Sequence, residues 1–426
     1  MKKQIALSVM AVMLLSFTAV ATGCGTTQTT TSTSVTAEAA SSNTAASSDS
    51  TTSDTASSGS TSTDSSTTTT STASSGSLID TSDLFTKRDL EQTADTTGAV
   101  TYTVESGKDI TITEAGVYIL TGTATDCTIT VNAADEDAKV QLVLDNLNIT
   151  NTDSAAIYVI SADKCFVTTA EGSSNTLTVT GTFVADGETN IDAVIFSKDD
   201  LVLNGTGTLT INSTGNGVTS KDDLKVTGGT YVITASKHGL EGKDSVAICD
   251  GTFTLNTTKD GIHSKNTDDN TLGYVYISGG TFTIKSGDDG IHGTAFIVID
   301  GGKFTIDAVE GIEATYIQIN DGTISINASD DGINAAAKST AYDVVIELNG
   351  GDITIVMGSG DTDAVDANGS IYVNGGNINI TAQTSSFDFD DTGEINGGTV
   401  IVNGTQITEM PTQMMGGGMG GRGGKH

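Results

Sequence analysis

Seven short steps recur along the second half of the chain, and their spacing constrains the fold more than any other feature. Asn216-Gly-Val, His238-Gly-Leu, Asp260-Gly-Ile, Asp289-Gly-Ile, Glu310-Gly-Ile, Asp331-Gly-Ile and Asp363-Ala-Val open successive units 22, 22, 29, 21, 21 and 32 residues apart. Each unit continues with a short strand, a glycine corner and a second strand. The corners run from Gly228-Gly229 through Gly279-Gly280 and Gly301-Gly302 to Gly397-Gly398, and glycine supplies positive φ there without steric cost. After each corner, alternation sets Tyr231 and Ile233, Phe253 and Leu255, Phe282 and Ile284, and so on to Val400 and Val402, on one side. Thr254, Thr283, Thr305, Ser325, Thr354 and Asn379 fall on the other, so one side of each strand is buried and one solvated. A unit this short buries its apolar side only against its neighbours. The expected fold class is therefore all-β, a single-stranded right-handed parallel β-helix, or solenoid. The single proline agrees, because proline removes a ladder donor from an interior strand.

The remainder of the chain divides by composition. Lys2 and Lys3, an apolar run from Ile5 to Val20, and small residues leading into Cys24 describe a secretory leader; the small residues before a cysteine resemble a bacterial lipobox. Residues 1–23 are read as a lipoprotein signal peptide with Cys24 as the lipidated residue, which implies an extracellular, cell-surface location and a membrane contact through the anchor alone. Residues 24–77 are almost wholly Ser, Thr, Ala, Asp and Gly, too poor in large apolar side chains to offset the entropy of ordering, and read as a disordered tether. Residues 78–97 read as a linker or cap, 98–404 as the repeat domain, and 405–426 as a Gly/Met-rich flexible tail. Three widely spaced cysteines, Cys127, Cys165 and Cys249, read as buried thiols rather than a disulfide framework.

Charge narrows the partners. The 426 residues carry 19 Lys+Arg against 53 Asp+Glu, a formal net charge of −34. Nucleic acid is excluded as a direct partner, because its binding relies on cations that neutralise phosphate. Aligning the units gathers part of the excess into two columns. The leading column is Asn216, His238, Asp260, Asp289, Glu310, Asp331 and Asp363; the trailing column is Thr219, Glu241, His263, His292, Glu313, Asn334, Asp366 and Asp390. Asp288, Asp330 and Asp391 flank them.

An isolated Asp on such a corner is ordinarily a turn residue that caps backbone donors. A run of acids one strand spacing apart repels by about 0.9 kcal/mol per pair even in bulk water, and lysine is scarce beside it. Lysine pairing, raised carboxyl pKa values or bound cations would each relieve the repulsion. Oxygen donors of this kind suit a hard ion, so Asp260, Asp288, Asp289, Glu310, Asp330, Asp331, Asp363, Asp366 and Asp390 are the expected calcium ligands. His263 and His292 read as surface groups or glycan contacts rather than metal ligands. The two long insertions after the trailing column, at 264–273 and 335–342, are expected as two walls about 15 Å apart around His292 and Glu313.

Gly116-Val-Tyr-Ile-Leu, Leu142-Val-Leu-Asp-Asn-Leu, Ala156-Ile-Tyr-Val, Ala170-Glu-Gly-Ser-Ser-Asn-Thr-Leu and the Asp-Gly-Ile-His steps together resemble the clostridial lipoprotein-like carbohydrate-binding β-helix family. The resemblance covers residues 98–404 and implies binding of calcium and of the plant polymers polygalacturonate and cellulose. Expected glycan contacts are His263, His292, Glu313, Asn334, Asp366 and the outward Tyr276, with Tyr372 beside it. The reading is a monomeric surface lipoprotein that binds acidic polysaccharide through calcium-bridged carboxylates. Two alternatives stay open: a structural adhesion rod, and a pectinase-like lyase or hydrolase. The enzyme would depart from its relatives, since Arg88 and Arg422, the only arginines, lie outside the units, leaving Lys285 or Lys303 as a base.

Overall fold

The structure, a computed structural model, describes residues 78–411 apart from residues 136 and 361, all within the compact unit Ser71–His426. The expected leader, the lipidated Cys24, the tether and the tail beyond residue 411 lie outside the described residues. Among the described residues, thirty-four strands form one large sheet, no helix is present, and the ladders are parallel except for the closing hairpin of Thr399–Val402 with Thr405–Ile407. The all-β, parallel part of the expectation is met.

Three strands follow one another in each unit, and each pairs with the strand at the same place in the next. The first ladder contains Asp200–Gly205, Asp223–Val226, Ser245–Ile248 and Tyr274–Ile277. The second contains Thr208–Ser213, Thr230–Ala235, Thr252–Thr257, Thr281–Lys285 and Lys303–Ala308. The third contains Asn216–Ser220, Leu240–Gly242, Ile262–Ser264 and the opening halves of Asp289–Ile299 and Glu310–Ile319.

Alternation within each strand decides what the three ladders enclose. Inward residues of all three, such as Leu224, Phe282 and Ile312, join one core cluster and are essentially inaccessible. Tyr231, Phe253, Phe282 and Phe304 stack with centroids 5.3, 4.6 and 4.6 Å apart. The expected inward set is buried from Tyr231 to Val400, whereas Val402 is only half-buried beside the closing hairpin. Cys127 and Cys165 are buried, Cys249 partly so, and all three are free thiols.

Two kinds of glycine make this packing feasible. The second residue of each corner, from Gly229 to Gly398, has φ between 77° and 137°, a region closed to most side chains. In the Gly-Ile step the reason is closeness: a Cβ on Gly311 would sit 2.3 Å from the carbonyl oxygen of Gly332, and one on Gly290 would sit 2.5 Å from that of Gly311. Beside the corners, Asn349, Asn374 and Asn396 each donate a side-chain amide to the preceding member of a ladder that begins at Asn320, over 2.8, 2.8 and 3.0 Å.

Residues 78–92 lie along the outer face of the first ladder. Leu84 and Phe85 cover Tyr276 and Phe296, and the Arg88 guanidinium sits 4.7 Å above the Phe166 ring. Asp89, fully buried, approaches the Lys164 ammonium at 3.4 Å, and the Gln92 amide donates to Thr227 O over 2.9 Å. This overturns the expectation of outward, ligand-facing tyrosines. Tyr276 is 5% exposed and donates its hydroxyl to Asp300 Oδ2 at 2.9 Å, and Tyr372 is 6% exposed.

Truncating the aromatic stack should lower stability by about 3–5 kcal/mol for Phe282→Ala, whereas Thr283→Ala on the solvated side should stay within about 0.5 kcal/mol. Guanidinium unfolding of the two variants checks this, and equal midpoints would contradict the inward assignment of Phe282.

Candidate functional site

The third ladder carries the two polar columns because the leading residue stands at the start of each strand or two residues before it, and the trailing residue falls on the strand three positions later. Pairing puts Glu241 beside His263, His263 beside His292, His292 beside Glu313, Glu313 beside Asn334 and Asn334 beside Asp366. The two columns interleave into one track. At its far end Asp366 pairs with Asp388 rather than with the expected Asp390, which is exposed two residues further on. The weak Phe387-Asp-Phe-Asp unit offers two acids at alternate positions, and the backbone register selects the first.

Histidines dominate the middle of the track and are neither surface groups nor isolated. The rings of His238, His263 and His292 stack, with centroids 4.1 and 4.9 Å apart. His263 Nδ1 lies 2.6 Å and His238 Nδ1 3.2 Å from the same Asp260 Oδ2. His292 Nδ1 lies 2.7 Å from Asp289 Oδ2 and 2.9 Å from Glu313 Oε2. Lys338, from the second insertion, reaches Glu313 Oε1 at 2.5 Å, one of the few lysines on an edge where lysine was expected to be scarce.

These contacts set the protonation of the middle. Burial opposes ionisation of Asp260, but the imidazoles of His238 and His263 outweigh it and hold the carboxyl well below the usual range. Burial lowers the pKa of His263 more than the Asp260 contact raises it, leaving a neutral ring. Burial likewise disfavours the His292 imidazolium, yet the carboxylates of Asp289 and Glu313 prevail and lift it to about 9. For Glu313, burial is outweighed by His292 and Lys338, which bring the pKa down to about 2. The middle of the track is internally neutralised.

The far end is not. Among the described residues, no Lys, Arg or His lies within ion-pair distance of Glu310, Asp331 or Asp366. Burial, then the Glu313 charge, pushes Glu310 up to about 8. Burial and then neighbouring carboxylates, Asp331 and Asp363 foremost, push Asp366 up to about 7. Burial above all places Asp331 at about 6. Asn334 donates its amide to Glu310 Oε2 over 2.9 Å, while its own Oδ1 is buried without a hydrogen-bond partner.

The remaining expectations divide. Asp289, Glu310 and Glu313 bring their carboxylates within 4.8 Å of one another. Asp288 instead turns to Lys259 at 2.8 Å with its side chain 45% exposed, and Asp330 is exposed; both stand outside the buried cluster because they precede the strand. The two insertions are not separate walls. Asn270 donates to Thr340 Oγ1 over 2.7 Å, Ser339 donates to Asn270 O over 2.5 Å, and Tyr342 donates to Thr271 O over 3.2 Å. They meet because the two units between them, which open at Asp289 and Glu310, carry no insertion at this place. His238 and Lys338 are the members of the site absent from the expected set. The first was visible in the leading column; the second arrives on a loop whose reach the repeat does not encode.

A carbohydrate-binding domain-containing protein of Acetivibrio thermocellus is 40% identical over 127 residues, 29% of this chain and 44% of that protein. The chain thus matches less than half the length of that relative. A solved structure, that of the polysaccharide lyase-like protein from C. thermocellum in its gadolinium derivative, is similar with a TM-score of 0.41 at 25% identity, covering 69% of this chain and 99% of that one. The model of the carbohydrate-binding domain-containing protein family matches residues 106–364, more than half of the chain and all of the polar track up to Asp363. The chain belongs to the carbohydrate-binding domain-containing protein family.

Proposed function

We propose that the three ladders wind as a right-handed parallel β-helix, the hand that parallel crossovers take, and that the protein binds acidic polysaccharide of the polygalacturonate type through calcium held on the far half of the polar track. The observation that carries this is the row of half-buried acids at Glu310, Asp331 and Asp366, none with a basic partner among the described residues, beside a buried amide oxygen of Asn334 that has no hydrogen-bond partner. An oxygen-only donor set of this kind fits calcium. Glu310, Asp331, Asp363 and Asp366 would hold the ion, joined by Asn334 once its amide turns its oxygen toward Glu310. When bound, the ion neutralises these acids and offers open positions to a uronate carboxylate, which a chain of net charge −34 would otherwise repel. Lys338 and His292 stand next along the track and suit the following carboxylate.

The same reading makes the protein a surface lipoprotein anchored at Cys24, monomeric, its repeat domain carried on the Ser/Thr tether. Binding rather than cleavage is favoured because the cations of the track, His292 and Lys338, are both engaged with carboxylates. Cellulose would be a second, weaker ligand, since no exposed tryptophan is available for stacking.

Raised carboxyl pKa values have a stability consequence. Between an unfolded value near 4.3 and the folded value of about 8 for Glu310, the native state binds more protons than the unfolded state, so stability falls as pH rises through this window. His292 acts in the same direction: its stabilisation is full below about 6.5 and is lost as pH rises through about 9. The metal-free protein should therefore melt at a lower temperature at pH 8.5 than at pH 5.5. Millimolar calcium should restore most of the difference at pH 8.5, and a metal-free melting temperature that rises with pH would contradict the assignment.

Polygalacturonate retention on an affinity gel should require calcium, vanish with a chelator, and drop at least about tenfold in Glu310→Gln or Asp366→Asn, the loss of one charge-assisted ligand. Retention indifferent to chelator would remove the bridging ion from the reading. Rising ultraviolet absorbance on incubation would identify a lyase instead.

A further inference from the structure

The amino end of the track carries donors of a different kind from the far end. His238 Nδ1, Asp260 Oδ2 and His263 Nδ1 lie within 4.8 Å of one another. We infer that these three atoms form a binding site for a divalent transition ion of zinc's class, separate from the oxygen-only set at the far end.

Convergence is the first argument. Two imidazole nitrogens point at one carboxylate oxygen, from 3.2 and 2.6 Å. A zinc ion with ligands at about 2.0–2.1 Å in tetrahedral array spaces them about 3.3 Å apart. The His238 contact already has that spacing, and the His263 contact needs to open by less than about 1 Å. The rings stack at 4.1 Å with a 22° tilt, so rotation about each Cβ–Cγ bond brings both nitrogens to face a common point.

Unmet hydrogen bonding is the second. His263 Nδ1 holds Asp260 Oδ2 at 2.6 Å, while His238 Nδ1, buried and 3.2 Å from the same oxygen, makes no well-directed hydrogen bond. A buried nitrogen in that state costs free energy unless something coordinates it. The other Asp260 oxygen, Oδ1, accepts the backbone amide of Asp289 over 3.1 Å, which fixes the carboxylate so that Oδ2 faces the two rings, as outer-shell contacts do for metal ligands. His292 also lies within reach of Asp260 in a group with Asp289, but its Nδ1 is held by Asp289 and Glu313, so the nitrogen left without a directed partner is that of His238.

Donor chemistry supplies the selectivity. Two imidazoles and one carboxylate favour zinc, copper, nickel or cobalt over calcium. The side chains of Asp260, His263 and His238 are 5, 13 and 20% exposed, so an ion can enter from the outer side and a fourth position stays open there to water or to a sugar hydroxyl. The site does not depend on calcium binding at the far end.

The chelator-treated full chain, titrated with Zn²⁺ by calorimetry in excess calcium, tests the inference. One site is expected, with Co²⁺ giving the intense visible bands of a tetrahedral complex. Replacements can be drawn from the repeat itself, which keeps them compatible with the fold: His238→Asn copies Asn216, and His263→Thr copies Thr219. Each should weaken Zn²⁺ binding by about 100-fold, the upper range for losing even an outer-shell partner, while the metal-free variants keep cooperative unfolding at a melting temperature lowered by loss of the contact with Asp260. Glu310→Gln should leave the Zn²⁺ isotherm in place. An isotherm unaffected by both histidine replacements, displacement of Zn²⁺ by calcium, or loss of zinc binding in Glu310→Gln would each overturn the inference, and none of these depends on whether polygalacturonate binds.

Discussion

Parallel pairing in unbroken register places every side chain beside its counterpart in the next unit, about 4.8 Å away, and the rest of the molecule follows from how each residue type tolerates that neighbour. Aromatic rings gain from it, and Tyr231, Phe253, Phe282 and Phe304 form a stack down the core. Asparagine gains too, since its amide donates to one neighbour while its carbonyl accepts from the other, as Asn349 and Asn374 do. Carboxylates lose. The spacing that makes a column of Phe or Asn cohesive makes a column of Asp or Glu repulsive, and burial on one side strengthens the repulsion by lowering the local dielectric.

The polar track meets this cost in two ways. In its middle, cations from the chain itself lie between the acids: His292 between Asp289 and Glu313, and Lys338 on the outer side of Glu313. Toward Asp366 the chain supplies no such group, and protons take the role, with Glu310 and Asp366 pushed up to about 8 and 7. Protonation is a weak solution near neutral pH, where the fold and the carboxyls compete for the same protons. Half-buried acids kept at a stability cost are the part of the track that would gain most from a bound cation.

Much of this was legible in the repeat. Spacing gave the ladders, the inward and outward alternation and the two columns, because a period is a property of the chain and parallel pairing carries it directly into space. The departures share one cause: they depend on segments that return from elsewhere. Residues 78–92 cover Tyr276, so a position that alternation turns outward is nonetheless buried. Lys338 reaches Glu313 from a loop, and the two insertions touch across the two units between them. Asp388 rather than Asp390 continues the column because the last unit is short and its register is set by backbone pairing, not by the nearest acid. The histidines differ again. Their positions were evident, but their bonding was not: His263 and His292 each sit three residues after an acid, a spacing that in this strand brings Nδ1 onto the carboxylate of the same unit.

That spacing also explains how one column would serve the two kinds of cation proposed for it. Where the trailing residue is His, the leading acid in its own unit is bound internally and the donor set mixes nitrogen with oxygen. Where the trailing residue is Glu, Asn or Asp, no imidazole enters the set, as at Glu310, whose neighbours are Glu313 and the Asn334 amide. Changing a single position in the Asp-Gly-Ile-x step therefore converts a nitrogen-bearing site into a hard-oxygen one without altering the backbone, since both lie on the same ladder in the same register. Three units with histidine in one column or the other, at His238, His263 and His292, followed by units without it, make the track graded along its length. On the proposed reading, a polyanionic glycan laid along it would pass the internally paired His292 and Lys338 and then reach acids that turn attractive only when a divalent ion occupies them. The order of units in the sequence would then set the orientation of the glycan, because reversing it would place its carboxylates against the same groups in the opposite order.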